Sequence, residues 1–175
     1  DAEIGLIALQ GTEGIDPARI GLLGFSFGGG AAIELAAAHP DAVASLVVWS
    51  SVGDYDTDFL QSMGQATFDR AEAEGIVGLD LGWRTIALKQ DFFASLATHD
   101  ILGALATYPG PFLTITGSTD YYAMYSAPML EAAAGTDKEA LVIDGADHIY
   151  NVFDPATSSV PQVIGATVAR FAGTL

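Results

Sequence analysis

A chain of 175 residues, half of them hydrophobic and only 16% charged, is long enough to form one globular domain with a substantial core. Its formal net charge of −16 disfavours binding to phosphate backbones and anionic lipids, so we expect neither nucleic acid nor a membrane as a partner. The absence of cysteine excludes disulfides, thiolate metal sites and a cysteine nucleophile. The acidic charge is consistent with solubility or with adaptation to high salt, and the sequence leaves both interpretations open.

Helices and strands alternate along the sequence. In chain order the apolar patterns predict a helix over residues 1–10, a buried strand at Ile20–Gly24, a small-residue helix ending before Pro40, a strand over 42–50, a strand at Phe112–Thr116, a helix over 123–135, a strand over 138–145 and an amphipathic helix over 160–175. Continuous apolar strands that alternate with helices indicate the α/β class, with a mostly parallel sheet covered on both faces. We find no repeat or linker, so residues 1–175 are predicted to form a single domain.

Residues 52–108 interrupt this alternation between the second and third predicted strands. The stretch is rich in Asp, Phe, Gly and Ala and contains mixed helical patches. A segment of this length between two core strands is more often a functional cover than a plain loop, so we predict a helical insert or cap. Its large apolar residues, Trp83 among them, would either line a pocket or pack the insert on the core.

One serine lies where the first strand becomes a helix, in the sequence Gly24-Phe25-Ser26-Phe27-Gly28. A nucleophile at such a sharp turn has strained backbone angles and little space, so glycines are expected on both sides of it. The helix that follows would direct its N-terminus at a developing negative charge, with the Phe27 N–H as an oxyanion donor. The alternative is a glycine-rich turn with a capping serine.

A serine nucleophile needs a base, and the chain has three histidines. His39 ends the helix that Ser26 begins, about 15 Å or more from the hydroxyl at the rise of an α-helix. His99 lies in the insert and is predicted to be a surface residue. His148 follows the fourth predicted strand, at the carboxyl edge where sites form in open parallel sheets, and is the best candidate for the base.

The base in turn needs a carboxylate to orient it. Asp120 follows the third predicted strand in a Gly-Ser-Thr-Asp turn and is the first choice, although it could simply cap that turn. Asp54, after the second strand, is its rival. Asp144 and Asp147 are close to His148 in sequence, but short loops seldom return a neighbour to the ring.

The segments RIGLLGFSFGGGAAIELAA, PFLTITGSTDYY and LVIDGADHIY together resemble the nucleophile, acid and histidine segments of the α/β-hydrolase superfamily. The resemblance is strongest to dienelactone-hydrolase-like enzymes and cinnamoyl or feruloyl esterases. It implies Ser26 as nucleophile, Asp120 as acid and His148 as base, in a serine hydrolase that cleaves small carboxylic esters without a metal or cofactor. Dienelactone hydrolases themselves use a cysteine nucleophile, which disfavours that activity here.

The resemblance also implies strands before Ile20–Gly24 that this sequence lacks, together with a second oxyanion donor. We therefore expect an N-terminal segment, an N-terminal chain or self-association to complete the sheet. Candidate pocket residues are Phe25, Tyr121, Tyr122, Met124, Tyr150 and Trp83. Two alternatives stay open: the catalytic domain of a prolyl-oligopeptidase-type peptidase, and a non-catalytic hydrolase-like binding module.

Overall fold

A parallel sheet and its flanking helices make up the larger of two units in the computed structural model, which describes residues 1–82 and 84–175. Residues 1–53 and 101–175 form this unit, and Asp54–Asp100 forms the second. Trp83, one of the predicted pocket residues, lies outside the described residues.

The elements of the described residues are, in chain order, α1 (Ala2–Gln10), β1 (Gly21–Phe25), α2 (Phe27–Ala38), β2 (Ser45–Trp49), α3 (Tyr55–Met63), α4 (Gln65–Glu74), β3 (Ile76–Asp80), β4 (Thr85–Lys89), α5 (Gln90–Leu96), α6 (Ile101–Leu105), β5 (Phe112–Gly117), a 3₁₀ turn (Tyr121–Tyr125), α7 (Ser126–Ala132), β6 (Lys138–Ile143) and α8 (Val160–Thr174). In the larger unit, the order of the strands in the sheet is β1-β2-β5-β6, and every neighbouring pair is parallel.

The strands differ in burial as their positions in the sheet require. Every residue of β5 is buried, because neighbouring strands lie on both sides and helices cover both faces. β1 is an edge strand among the described residues, with β2 as its only neighbour, and two of its apolar side chains, Leu23 and Phe25, are 40% and 39% exposed. Among the residues that the structure describes, one apolar strand therefore lies with an unpaired edge.

Side chains that alternate along β2 divide the core between the two faces of the sheet. Val47 packs with Val163 of α8 on one face, where the Trp49 indole also donates a hydrogen bond to the Thr167 hydroxyl at 2.9 Å. Leu46 and Val48 are the alternate residues and are fully buried towards the other face, where α2, α6 and α7 pack. Fully burying each such aliphatic side chain contributes about 1.5–3 kcal/mol to folding.

The second unit has its own small core. Ala71, Val77 and Phe93 are buried together there. The unit contains the expected helices, α3 to α5, and also the antiparallel hairpin β3–β4, which the sequence analysis did not predict. The third and fourth predicted strands are therefore β5 and β6. Over the described residues, no helix has the length and apolarity that a membrane crossing requires.

Candidate active site

Ser26 occupies a strained turn between β1 and α2. Its backbone has φ 55° and ψ −124°, a conformation that L-residues rarely adopt. Its N–H donates to the Trp49 carbonyl at 2.9 Å, and its own carbonyl accepts the Gly29 N–H at 2.9 Å. These bonds tie the turn to the end of β2 and to the first turn of α2, so the surrounding structure holds the strained conformation in place.

The glycines around Ser26 differ in whether a Cβ would fit at their positions. A Cβ on Gly24 would lie 2.5 Å from the Gly28 carbonyl oxygen and 2.7 Å from the Gly29 Cα, so only glycine lets α2 lie this close to β1. A Cβ on Gly29 would overlap the Ser51 side chain. A Cβ on Gly28 would meet no described atom within 4 Å. The expectation of a steric need for glycine at Gly28 is therefore wrong for the described residues, and Gly29 fills that role.

Three predicted site residues come together at the carboxyl edge of the sheet. The Ser26 Oγ lies 2.9 Å from the Nε2 of His148, and the Nδ1 of the same ring lies 3.2 Å from both carboxylate oxygens of Asp120. Ser26 follows β1, Asp120 follows β5 and His148 follows β6, so parallel strands direct their ends to one place. A hydroxyl, an imidazole and a carboxylate in this chain of hydrogen bonds can transfer a proton from the serine to the ring.

The loop that carries His148 is held by a reciprocal pair of side chains. The Asp147 carboxylate accepts the N–H groups of Ile149, at 3.0 Å, and Asn151, at 2.7 Å. The Asn151 amide oxygen accepts the Asp147 N–H at 3.1 Å, and its nitrogen donates to the Gly145 carbonyl at 3.2 Å. Asn151 has a positive φ of 54°, which Asn tolerates better than most residues. These hydrogen bonds fix the backbone of the loop that carries the His148 imidazole.

Asp120 is a buried carboxylate with several donors. Its side chain is 2% exposed, and the Tyr122 N–H donates to it at 3.2 Å. Burial alone would raise the pKa of Asp120, but hydrogen bonds from His148, from the Ser50 hydroxyl and from the Tyr122 N–H, together with the charge of His148 when protonated, outweigh burial and lower that pKa below its ordinary value. The group is therefore a carboxylate at neutral pH, as the orientation of an imidazole requires.

Aromatic rings flank the imidazole of His148. The rings of Phe25 and Tyr122 each lie with their centroids 5.2 Å from its centroid. Tyr121 and Met124 have exposed side chains on the 3₁₀ turn that follows Asp120. Tyr150 differs from the other predicted pocket residues, because it is buried and its hydroxyl donates to the Ile115 carbonyl at 2.9 Å. Its assignment to the substrate pocket stays a prediction.

The rival residues have other partners. Asp54 caps α3, accepting the Thr57 N–H at 3.0 Å and the Thr57 hydroxyl at 2.8 Å. Asp144 accepts the Ser118 hydroxyl at 3.3 Å. His39 pairs with Glu3 at 3.1 Å, and His99 packs edge-on against Tyr55 at 5.4 Å. None of these contacts brings a rival to the Ser26 hydroxyl.

Two further backbone features lie at the site, after β1 and after β2. Phe27 begins α2 directly after Ser26, so its N–H belongs to the helix N-terminus, where the positive end of the dipole lies. Ser50, which the sequence analysis did not single out, is fully buried and has a φ of 44° directly after β2. The only sequence feature that could have indicated Ser50 is its position at the carboxyl end of a buried strand. Within residues 1–82 and 84–175, no three His, Asp or Glu side chains cluster as a metal site would need.

No family model matches the sequence, and no curated protein does. Solved structures do match. The chain aligns over 99% of its length with 70% of the α/β hydrolase GrgF from Penicillium sp. sh18, at 14% identity and a TM-score of 0.73. It aligns over 96% of its length with 68% of Est1E from Butyrivibrio proteoclasticus, at 18% identity and a TM-score of 0.65. It aligns over 97% of its length with 56% of dienelactone hydrolase from Anabaena variabilis, at 19% identity and a TM-score of 0.63.

These similarities define the fold of the chain as that of the α/β-hydrolases, and they confirm at the level of fold the dienelactone-hydrolase-like resemblance that the sequence suggested. The chain spans 56% of the length of the dienelactone hydrolase and 70% of the length of GrgF. Est1E has also been solved with ferulic acid bound.

Proposed function

We propose that this chain carries the catalytic residues of a serine hydrolase that cleaves small carboxylic esters. The observation that supports this most directly is the continuous hydrogen-bonded series from the Ser26 Oγ through both ring nitrogens of His148 to the Asp120 carboxylate. The hydrolases and esterases among its structural neighbours support the same reaction class. An imidazole between a hydroxyl and a buried carboxylate has little use in folding and a direct use in acyl transfer.

In the first half of the proposed reaction the Ser26 Oγ attacks the ester carbonyl carbon while its proton passes to the Nε2 of His148. The carbonyl oxygen becomes an oxyanion, and the Phe27 N–H at the start of α2 donates to it. The tetrahedral intermediate collapses when His148 gives the proton to the alcohol oxygen, which leaves with its bonding electrons. Ser26 is then acylated, and Asp120 has stabilised the imidazolium throughout.

In the second half water replaces the alcohol. His148 takes a proton from the water, whose oxygen attacks the acyl carbon and forms a second oxyanion at the same donor. His148 then returns the proton to the Ser26 Oγ as the carboxylic acid leaves. The aromatic side chains beside the imidazole, Phe25 and Tyr122, would favour an apolar or aromatic acyl group. The second oxyanion donor and the covering role expected for residues 52–108 stay predictions.

A fluorophosphonate probe tests the nucleophile, because it phosphonylates only an activated serine. We expect mass spectrometry to find the label on Ser26 and to find none after Ser26→Ala. The matched control is Ser62→Ala, since Ser62 is an exposed serine whose hydroxyl donates to the Phe59 carbonyl at 3.2 Å. The same variants assayed with p-nitrophenyl acetate should show turnover lost with Ser26→Ala and kept with Ser62→Ala. A labelled Ser26→Ala variant would refute the assignment, and a wild-type chain that is never labelled would favour the non-catalytic binding module.

The acid is tested by Asp120→Asn, which keeps the volume but presents the imidazole with a donor instead of an acceptor. We expect kcat to fall by as much as about 10⁴-fold, the loss known for a wrong-tautomer variant of such a triad. Asp54→Asn is the control, because Asn keeps the helix cap that Asp54 provides to α3. Equal losses in the two variants, or a loss confined to Asp54→Asn, would make the assignment of the acid wrong.

We also propose that another strand of the same enzyme, from polypeptide outside this sequence, pairs with β1. Among the described residues β1 has one neighbour, and its exposed Leu23 and Phe25 would be covered by an added strand and its connections. The same unit exposes Ile4 and Ile7 of α1, a helix packed on α2. The greater length of the aligned neighbours is consistent with additional elements at this edge.

Amide hydrogen exchange tests this pairing. In the chain alone, the amides of β1 that do not bond to β2 should exchange faster than those of β5, and in a chain extended by the proposed strand they should become protected. Self-association through β1 is a second explanation, and light scattering of the chain alone tests it by measuring the oligomeric state. A dimer in which the β1 amides are already protected would contradict the added strand and favour self-association.

A further inference from the structure

Two neighbouring loops carry the acid and the base of the candidate site. The acid loop, residues 118–120, follows β5 and ends with Asp120. The histidine loop, residues 144–151, follows β6 and contains His148. The strands β5 and β6 pair in parallel up to their last residues, so both loops leave the sheet side by side. Because the acid and the base extend from loops and not from strands, contacts between the loops decide how far apart they lie.

Ser118 makes the first connection between the two loops. Its N–H donates to the Ile143 carbonyl at 2.8 Å, one residue beyond the paired part of β5 and β6. Its hydroxyl accepts the Gly145 N–H at 2.8 Å and donates to the Asp144 carboxylate at 3.3 Å. The start of the acid loop is therefore bonded to the start of the histidine loop through both its backbone and its side chain.

Thr119 makes the second connection, and both of its donors reach the same acceptor. Its N–H nitrogen lies 3.0 Å, and its hydroxyl oxygen 2.7 Å, from the carbonyl oxygen of Ala146. A carbonyl oxygen has two lone pairs, so the two hydrogen bonds are compatible, and 2.7 Å is a preferred distance for a bond between two oxygens. Ala146 is fully buried, and Thr119 therefore satisfies a carbonyl that water does not reach.

The two loops also approach each other too closely for a side chain to fit between them. A Cβ on Gly117, the last residue of β5, would overlap the Ala146 carbonyl and lie 2.7 Å from the Asp147 carbonyl oxygen. Glycine is therefore required at the position from which the acid loop begins. The loops meet at backbone distance, and the two hydrogen bonds of Thr119 hold them there.

We propose that Thr119 is a positioning residue, which fixes the separation of Asp120 from His148 by tying the acid loop to the histidine loop at Ala146. Thr119 is the residue before Asp120, and Ala146 lies two residues before His148, so this connection is next to both side chains. The separation that it controls is the 3.2 Å between the Nδ1 of His148 and each Asp120 carboxylate oxygen. The inference rests on the proposed function of Ser26, Asp120 and His148.

The first test removes only the hydroxyl, by Thr119→Val, which keeps the branched shape of the side chain. Thr119→Ser is the conservative variant that keeps the donor. The matched control is Thr107→Val, because Thr107 is also exposed and its hydroxyl also donates to an alanine carbonyl, that of Ala104, at 2.8 Å. With p-nitrophenyl acetate we expect kcat to fall about three- to tenfold in Thr119→Val with KM nearly unchanged, and to stay near the wild-type value in Thr119→Ser and Thr107→Val.

A second measurement needs no turnover. The ring ¹⁵N shifts of His148, observed through its carbon-bound protons and assigned by their loss in His148→Gln, report which nitrogen of the neutral ring bears the proton. A carboxylate held against Nδ1 keeps the proton on that nitrogen. We therefore expect two well-separated shifts in the wild type, Thr119→Ser and Thr107→Val, and shifts that move towards each other in Thr119→Val. Combining Ser118→Ala with Thr119→Val should bring them closer still, because the side-chain bonds of both connections are then lost.

The outcomes separate this inference from a structural role and from the function on which it rests. A lower urea midpoint in Thr119→Val with unchanged kcat and ring shifts would show that the hydroxyl only stabilises the turn, and would overturn the inference. A loss that Thr119→Ser also shows, or that Thr107→Val reproduces, would overturn it as well. A chain that hydrolyses nothing and is never labelled by the fluorophosphonate would refute the proposed function, and the ring shifts would still decide whether Thr119 positions Asp120 against His148.

Discussion

The contact between β1 and α2 sets the position of Ser26, the proposed nucleophile, and Gly24→Ala perturbs this contact directly. The added Cβ would lie 2.5 Å from the Gly28 oxygen and 2.7 Å from the Ala32 Cβ, where ordinary contact begins at 3.4 Å. Two of the three nearest atoms belong to the backbone, so rotation of a side chain cannot relieve the overlap and α2 must move by about 0.9 Å. Overpacking of this kind costs about 1–3 kcal/mol of the free energy of unfolding.

The same movement should affect chemistry. Ser26 joins the two displaced elements, so its Oγ would move by a similar distance from the His148 nitrogen, now 2.9 Å away, and the hydrogen bond would be lost. A misplacement of about 1 Å costs roughly 10²-fold in kcat. Urea unfolding followed by circular dichroism measures the first effect, and turnover of p-nitrophenyl acetate measures the second.

Gly28→Ala is the stability control, because its Cβ meets no described atom within 4 Å and alanine favours the helix by about 0.5–1 kcal/mol over glycine. It should unfold at the same or a higher urea concentration than the wild type. Should Gly24→Ala match the wild type in both unfolding and turnover, the close approach of β1 and α2 does not constrain the site.

Two further predictions concern Asp120 and the loop of His148. Because the pKa of Asp120 is lowered in the folded chain, its ionised form stabilises the fold above the ordinary carboxyl pKa of about 3.9, and this contribution is lost as the pH falls through the lower folded value. The difference in unfolding free energy between the wild type and Asp120→Asn should therefore shrink as the pH falls below about pH 4; a difference that grows over this acid range in urea unfolding would contradict the direction of the shift. Asn151→Ala loses three side-chain hydrogen bonds and places alanine at a positive φ, so its free energy of unfolding, measured by thermal unfolding, should fall by about 1–3 kcal/mol. Asn151→Gly loses the same bonds without the backbone strain and should be less destabilised. Equal stabilities of the two Asn151 variants would show that the backbone at this position is unstrained.

The main strands were predictable from the sequence because a buried parallel strand is a continuous apolar run. The run predicted at Phe112–Thr116 is β5, Phe112–Gly117, and the run predicted at Ile20–Gly24 is β1, shifted by one residue. The hairpin β3–β4 was missed for the complementary reason. Thr85–Lys89 alternates between exposed and half-buried residues, and five residues of weak alternation do not stand out in a segment with helical patches on both sides.

The candidate site was predictable where local sequence determines the backbone. Glycines mark the turn of Ser26, and strand ends mark Asp120 and His148, so their convergence followed from the topology of a parallel sheet. The contacts of Tyr150 could not be predicted in this way. It was assigned to a pocket because it flanks His148, but its hydroxyl bonds to Ser50, a residue 100 positions away. The pairing of β2 with β5 and of β5 with β6 brings the two together. Glycine is likewise required at Gly29 and not at Gly28 because of Ser51, a residue distant in sequence that a Cβ on Gly29 would overlap.

The residues other than glycine with a positive φ among those described are Ser26, Ser50, Tyr150 and Asn151, and all of them follow strands at the carboxyl edge of the sheet. Such conformations cost about 1–3 kcal/mol each. Selecting this chain for thermostability alone would therefore favour glycine at these positions. Glycine would remove the Ser26 hydroxyl that the proposed reaction needs and the Asn151 side chain that anchors the His148 loop. Stabilising substitutions should instead be sought in the helices distant from this edge of the sheet, where stability and the proposed chemistry do not compete.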